Sequence, residues 1–346
     1  MRSSSDAQGA VNLQHDGFVH CIAVDDTGRY VASCSADRTI NIFVRSSATG
    51  THLSDLANVG WEYGCSIKEH TGAVTRVAWA NPQYGFMLGS IGHDMVILLT
   101  SVTTNMTGGK LVTKAVKFAF FKAGIQNSDL LTDIVFLPPR AYHTMLFAVS
   151  SLDGTVWFYG IDQTQAVRKF KLAEPEHLKT GISAIAFSPC LADKDFVMAV
   201  GTAAGQFELY EYFSIDNKFC RGELVDSNGA PLMLAPSAVP VACLAWAPPV
   251  GRPYHLIAVC SRRGTSIVRV AKRAAAEHSA TVGASGRPNA ACSFFTCEVF
   301  ACSTASVTGA WNASGTMLAF SSDEEGKQVQ WLQLEDATDH RSWVIV

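Results

Sequence analysis

His15-Asp16-Gly17-Phe18-Val19, the alternating run through Ile22 and Val24, the turn Asp25-Asp26-Thr27-Gly28, the run Tyr30-Val31-Ala32-Ser33-Cys34-Ser35, the turn Ala36-Asp37-Arg38-Thr39 and the run Ile40-Asn41-Ile42-Phe43 together decide the fold. Three short apolar runs of period two, separated by turn residues, predict an antiparallel meander. A sheet of this kind cannot bury both of its faces alone, so the chain has to repeat it.

It does so five more times. His70-Thr71-Gly72-Ala73-Val74 lies on the first motif without gaps, Val77 and Trp79 fall on Ile22 and Val24, and Phe86 to Ser90, His93-Asp94 and Val96 to Leu99 complete the second unit. Looser copies follow at Ile134-Val135-Phe136, Ile185-Ala186-Phe187, Leu244-Ala245-Trp246 and Ala310-Trp311-Asn312. The residues that end the first strands, Val24, Trp79, Phe136, Phe187, Trp246 and Trp311, are 51 to 65 residues apart. A lean four-stranded repeat takes ~40–45 residues, so the excess is assigned to loops. Linkers 46–60 and 101–113 read as surface loops, and 271–291 is the longest irregular stretch. Segments 64–67, 116–121 and 297–301 can supply fourth strands. Four strands per unit, radially arranged, make an all-β propeller. The expected organisation is a polar arm at 1–12, six blades at 13–68, 69–122, 129–172, 180–223, 238–301 and 303–334, and a short end at 335–346.

The 346 residues are 48% hydrophobic and 16% charged. Two accounts fit this: strands buried on both faces, or a surface covered by a partner. A net charge of −3, with no run of Lys or Arg longer than two, argues against direct binding to nucleic acid. No window reaches 18 apolar residues, which argues against membrane insertion, and the first residues lack the apolar core of a signal peptide. The ten cysteines read as small buried hydrophobes in a reducing compartment.

The residues that invite a chemical reading are His15 with Asp37 and His70 with Asp94, whose spacing lets a loop histidine reach the aspartate of the neighbouring turn. Asp153 holds that turn position in the third unit, whereas Ala204, Arg263 and Glu325 hold it in the last three. No nucleophile or metal ligand recurs beside these pairs, so they are read as structural turn pairs. Cys292, Cys297 and Cys302 are spaced by five, unlike the knuckles that bind zinc. No phosphate loop, nucleophile elbow or zinc-protease motif occurs, and the chain is read as neither an enzyme nor a cofactor protein. Alternation in the run Phe118-Ala119-Phe120-Phe121 is expected to put Phe118 and Phe120 on one face and Phe121 on the other, with packing between blades as the first reading and a docking patch as the second.

With its units placed, the chain resembles WD-repeat propellers, and more narrowly the small scaffold propellers of the nucleoporin Seh-one and COPII Sec-thirteen type. The likeness is densest at 15–43 and 69–99, where Ala80-Asn81-Pro82-Gln83-Tyr84-Gly85 looks like the family's turn. Ala247 to Ala258, containing Gly251-Arg252-Pro253-Tyr254-His255, is closer to the Seh type, and Trp311 to Ala319 looks like the last blade. Departures are the absence of any Trp-Asp dipeptide and Thr75 where the family often has Trp. The resemblance implies a six-bladed open propeller whose seventh blade comes in trans from an α-solenoid scaffold nucleoporin. It also implies further outer-ring subunits as partners, membership of the Y-shaped nuclear pore scaffold at the nuclear envelope, and a second place in a nutrient-signalling coat, cytoplasmic or at the vacuolar or lysosomal membrane. Val19, Ile22 and Val24 of the first unit, with Trp311, Leu318 and Phe320 of the last, are the expected partner seam. The alternatives are a COPII-type cage subunit, which shares fold and complementation, and a peptide-binding adaptor, which needs a closed ring.

Overall fold

The computed structural model describes residues 12–45, 60–108, 110–122, 130–139, 145–161, 167–170, 181–189, 196–213, 218–232, 239–272, 294–302, 305–321, 329–335 and 342–345. Among them there is no α-helix, only a 3-10 turn at Pro82–Tyr84, and the chain divides into two compact units, Met1–Phe136 and Leu137–Val346.

The first sheet is β1 (Val19–Val24), β2 (Tyr30–Ser35), β3 (Ile40–Arg45) and β4 (Trp61–Ile67), hydrogen-bonded in that order. The second repeats the order with β5 (Val74–Trp79), β6 (Met87–Gly92), β7 (Val96–Thr107) and β8 (Lys110–Lys122). The third comprises β9 (Leu131–Phe136), β10 (Met145–Ser151), β11 (Val156–Ile161) and β12 (Val167–Phe170). The fourth holds β13 (Ile182–Phe187), β14 (Val197–Thr202), β15 (Phe207–Phe213) and β16 (Lys218–Arg221). After β17 (Glu223–Val225) come β18 (Val241–Trp246), β19 (His255–Ser261), β20 (Gly264–Lys272) and β21 (Phe294–Cys302) of the fifth. The sixth is β22 (Thr308–Trp311), β23 (Met317–Ser321), β24 (Gln330–Leu334) and β25 (Trp343–Ile345). These six antiparallel meanders are the blades of an all-β propeller, as the repeats predict.

The likeness of the units extends to their irregularities. In β1, β5, β13 and β18 the register slips one residue after the strand begins, at Val19/Cys21, Val74/Arg76, Ile182/Ala184 and Val241/Cys243. A bulge at one fixed place bends these four first strands in the same way, which a chance run of apolar segments would not produce.

Within the first unit, Ile40, Ile42 and Val44 of β3 pack with Tyr30, Val74, Val77, Leu88 and Leu98 into one buried cluster. Within the second, Ala184, Ala199 and Leu209 meet Val241, Ile257 and Val268. A separate cluster joins Leu256, Ala258 and Ile267 to Leu318, Phe320 and Leu332. Burying each such side chain contributes roughly 1.5–3 kcal/mol, so the blades are held by the faces that they press on their neighbours.

At Gly201 two neighbouring blades approach closely: a Cβ built there would lie 2.6 Å from Cγ1 and 2.7 Å from Cβ of Val241. Gly201→Val is therefore expected to destabilise the chain by roughly 1–3 kcal/mol, through overpacking. A lowered denaturant midpoint at unchanged slope checks this, and Val241→Ala in the same chain recovers part of the loss.

Four features differ from the expectation. The stretch 101–113, read as a loop for its Ser, Thr and Asn, instead continues the β7–β8 hairpin, because its threonines favour strand and bond across it: Thr104 Oγ1 lies 2.9 Å from Thr113 Oγ1 and accepts from the Tyr30 hydroxyl at 3.0 Å. Phe118 and Phe120 do not share a face by simple alternation. Leu99 pairs with Ala119 and Thr100 with Lys117, so Phe118 is the unpaired residue of a bulge. The fifth sheet gains β17 as an extra strand, parallel to β21, with Leu224 opposite Phe295. The stretch 335–346 supplies β25, with Val344 opposite Gln333. Most of 46–60 and 271–291 lies outside the described residues.

Candidate functional site

The two predicted histidine–aspartate pairs form. His15 Nδ1 is 3.0 Å from Asp37 Oδ2, and His70 Nδ1 is 3.1 Å from Asp94 Oδ2. Each aspartate also ties down its turn: Asp37 accepts from the N–H of Asp16 and Thr39, each at 2.9 Å. Asp94 accepts from the N–H of Thr71 at 2.8 Å and of Val96 at 3.2 Å. The glycine two residues after each histidine is fixed by space, since a Cβ at Gly17 or Gly72 would lie 2.9 or 2.8 Å from the backbone nitrogen of Asp37 or Asp94. Asp153 holds its turn by accepting from Thr155 N–H at 2.8 Å, but among the described residues no histidine joins it.

The sequence reading missed the serines. His15 Nε2 is 2.8 Å from Ser33 Oγ, and His70 Nε2 is 2.9 Å from Ser90 Oγ. Both are serines in matching register on the second strands, opposite Ile22 and Val77, and that register was the available signal. Serine, histidine and aspartate in line have the outline of a hydrolase triad. Here the serine is 0% or 1% exposed, so its hydroxyl cannot meet a substrate, and the chain of bonds braces a turn. Among the described residues there is no cluster of three His, Cys, Asp or Glu able to hold a metal, and no helix long and apolar enough to cross a membrane. Cys34, Cys260 and Cys297 are buried, and burial pushes the Cys297 thiol up to about 12, which suits packing rather than reactivity.

A different pattern marks a surface. The residue that ends each first strand from the second blade onward is engaged. Trp79 Nε1 donates to the Ala23 carbonyl at 3.1 Å, and Trp311 Nε1 to that of Ala245 at 2.9 Å. Phe136 lies over Gly89, the Phe187 ring meets Phe158 edge-on, and Trp246 packs on the cluster holding Ala184 and Ala186. Two residues earlier, Val77, Ile134, Ile185 and Leu244 are 5%, 2%, 1% and 8% exposed. In β1 the same two registers are Ile22 and Val24, and they are 54% and 56% exposed. The face that elsewhere docks one blade on another is open in the first blade.

A family model described as WD domain, G-beta repeat, matches residues 10–43. Nucleoporin SEH1-B of Xenopus laevis is 26% identical over 327 residues, covering 91% of this chain and 82% of that protein. The chain is an all-β propeller of six blades that carries a WD repeat, and it is similar to Seh1 nucleoporins. Nucleoporin SEH1 of Homo sapiens is 24% identical over 260 residues and that of Danio rerio 23% over 263, each covering 73% of this chain. The aligned part spans 66% of the human relative and 65% of the fish one, just under two thirds of their length.

Of the residues expected at a partner seam, Val19 is half-buried, and Ile22 and Val24 form the open face. On the last blade, Trp311, Leu318 and Phe320 point the other way, into the cluster with Leu256, Ala258 and Ile267. The exposed apolar residues of that blade include Val329 and Trp331.

Proposed function

We propose that this protein is a structural scaffold subunit of the nuclear pore outer ring, and that an α-solenoid nucleoporin donates a blade to it in trans. The observation that carries the reading is the exposed pair Ile22 and Val24, at registers buried in the blades that follow. Water-exposed apolar residues in a blade-docking register call for a sheet to cover them. The named relatives are nucleoporins, which supports the nuclear pore over a vesicle coat. A donated blade makes an interface of roughly 2,000 Å² or more, in the obligate range. Localisation at the nuclear envelope follows from this reading, and a second place in a nutrient-signalling coat belongs to the same proposal.

The test is purification of the tagged, full chain from its own cells, with the co-purifying chains identified by mass spectrometry. The expected result is a stoichiometric α-solenoid carrying a short β-rich segment, together with other nuclear pore subunits. Recovery as a monomer, or with vesicle-coat subunits alone, would overturn the assignment.

A further inference from the structure

The outer strand of the second blade carries a separate surface. β8 is the edge of its sheet, and from Lys110 to Lys117 its pairing with β7 is regular, with no slip in register. One face of this stretch is used: Thr113 is buried against Gly64 of β4. The alternate residues Val112 and Val116 are 38% and 59% exposed, with exposed Lys114 between them. Beyond the bulge come exposed Phe120 and Lys122, and the Lys117 ammonium lies 5.5 Å from the Phe120 ring centre.

The fold itself shows what such an edge accepts. In the fifth blade, the outer strand β21 is joined by β17, whose sequence is Glu223-Leu224-Val225, one acid beside two apolar residues. At the second blade the corresponding edge is open among the described residues. Lysines on an open edge discourage apolar strands, and they favour acidic ones. Lys117 is already paired with Glu69 at 2.6 Å, but pairing between two copies of β8 would still bring Lys114 and Lys122 of one towards lysines of the other, so a second copy is the poorer occupant.

We propose that the outer edge of β8 is a docking site for an extended segment of a partner chain in which acidic residues alternate with β-branched or aromatic ones. The segment adds as a strand through the free backbone groups of β8, its acids meet Lys114 and Lys122, and its apolar side chains cover Val112 and Val116. The site is independent of the donated blade, since it lies on a different strand of a different sheet.

The probe is a library of random dodecapeptides displayed on phage, selected on the full chain and counter-selected on a Lys114→Glu/Val116→Glu variant. Enrichment of Asp or Glu alternating with Val, Ile or Phe is expected. Synthetic copies should bind at least tenfold more weakly to the variant and weaken as salt rises. Both substituted side chains are exposed, and an unchanged thermal midpoint checks the fold, with Lys114→Gln as the milder variant should the double one unfold. Recovery of no peptide, of peptides without acidic enrichment, or of peptides that bind the variant equally overturns the proposal. So does variant-sensitive binding of single-stranded DNA or anionic vesicles in place of peptide.

Discussion

Asp94→Ala is expected to lower the stability of the folded chain by about 2–4 kcal/mol, because one carboxylate answers several donors at once. His70 is 6% exposed and would keep Ser90 but lose its acidic partner, while the N–H groups of Thr71 and Val96 lose their acceptor. Asp37→Ala acts in the same way on Asp16, Thr39 and His15 in the first blade, with a similar fall. Acid should reproduce part of this loss. Burial alone would raise both aspartates, but the donors outweigh it: Thr71, His70 and Val96 hold Asp94 below the usual carboxylate range, and Thr39, Asp16 and His15 hold Asp37 lower still. A carboxylate whose pKa is lower folded than unfolded stabilises above the unfolded value, about 3.9 for Asp, and loses that contribution as pH falls through the folded value. Urea midpoints measured between pH 7 and pH 2 should therefore drop steeply below about pH 4. Asp37→Asn with Asp94→Asn should flatten the drop and start from a lower plateau. Equal slopes in variant and parent would show that these turns carry no acid sensitivity.

How much of this was legible in the sequence depends on how local the cause is. The His15 and His70 units announce themselves because motif, turn and strand period all lie within 30 residues of chain, and the structure pairs each histidine with its aspartate. Ser33 and Ser90 were hidden because a hydroxyl in a strand reads as a weak interruption until its register with the histidine is known. β17 could not be read at all: three residues form a strand only because β21 offers them an edge, and a parallel addition leaves no hairpin turn as a sign. The orientation of Phe118 turned on a single unpaired residue, and period-two reasoning fails at a bulge. On the last blade the sequence could not tell which of two apolar faces meets the fifth blade. The indole bond from Trp311 to Ala245 and the burial of Leu318 and Phe320 answer that.

The partner surface rests on the same logic of registers, and it leads to the second large effect. Under the proposed blade donation, Ile22→Glu with Val24→Glu is expected to weaken capture of the partner by at least about 100-fold, close to 2.8 kcal/mol at 1.4 kcal/mol per tenfold. The estimate is modest for two charges forced under an apolar sheet, where burying an unpaired carboxylate is costlier than losing a methyl contact. The same substitutions leave the isolated chain within about 0.5 kcal/mol per site, since both side chains already face water. That contrast separates a docking face from a structural one. The corresponding pair in the second blade, Val77 and Trp79, is packed inside the first unit, so Val77→Glu should unfold the chain rather than merely release a partner. Co-purification of the solenoid with the β1 variant at parental yield, in a chain that melts normally, would mean that Ile22 and Val24 are exposed for some other reason.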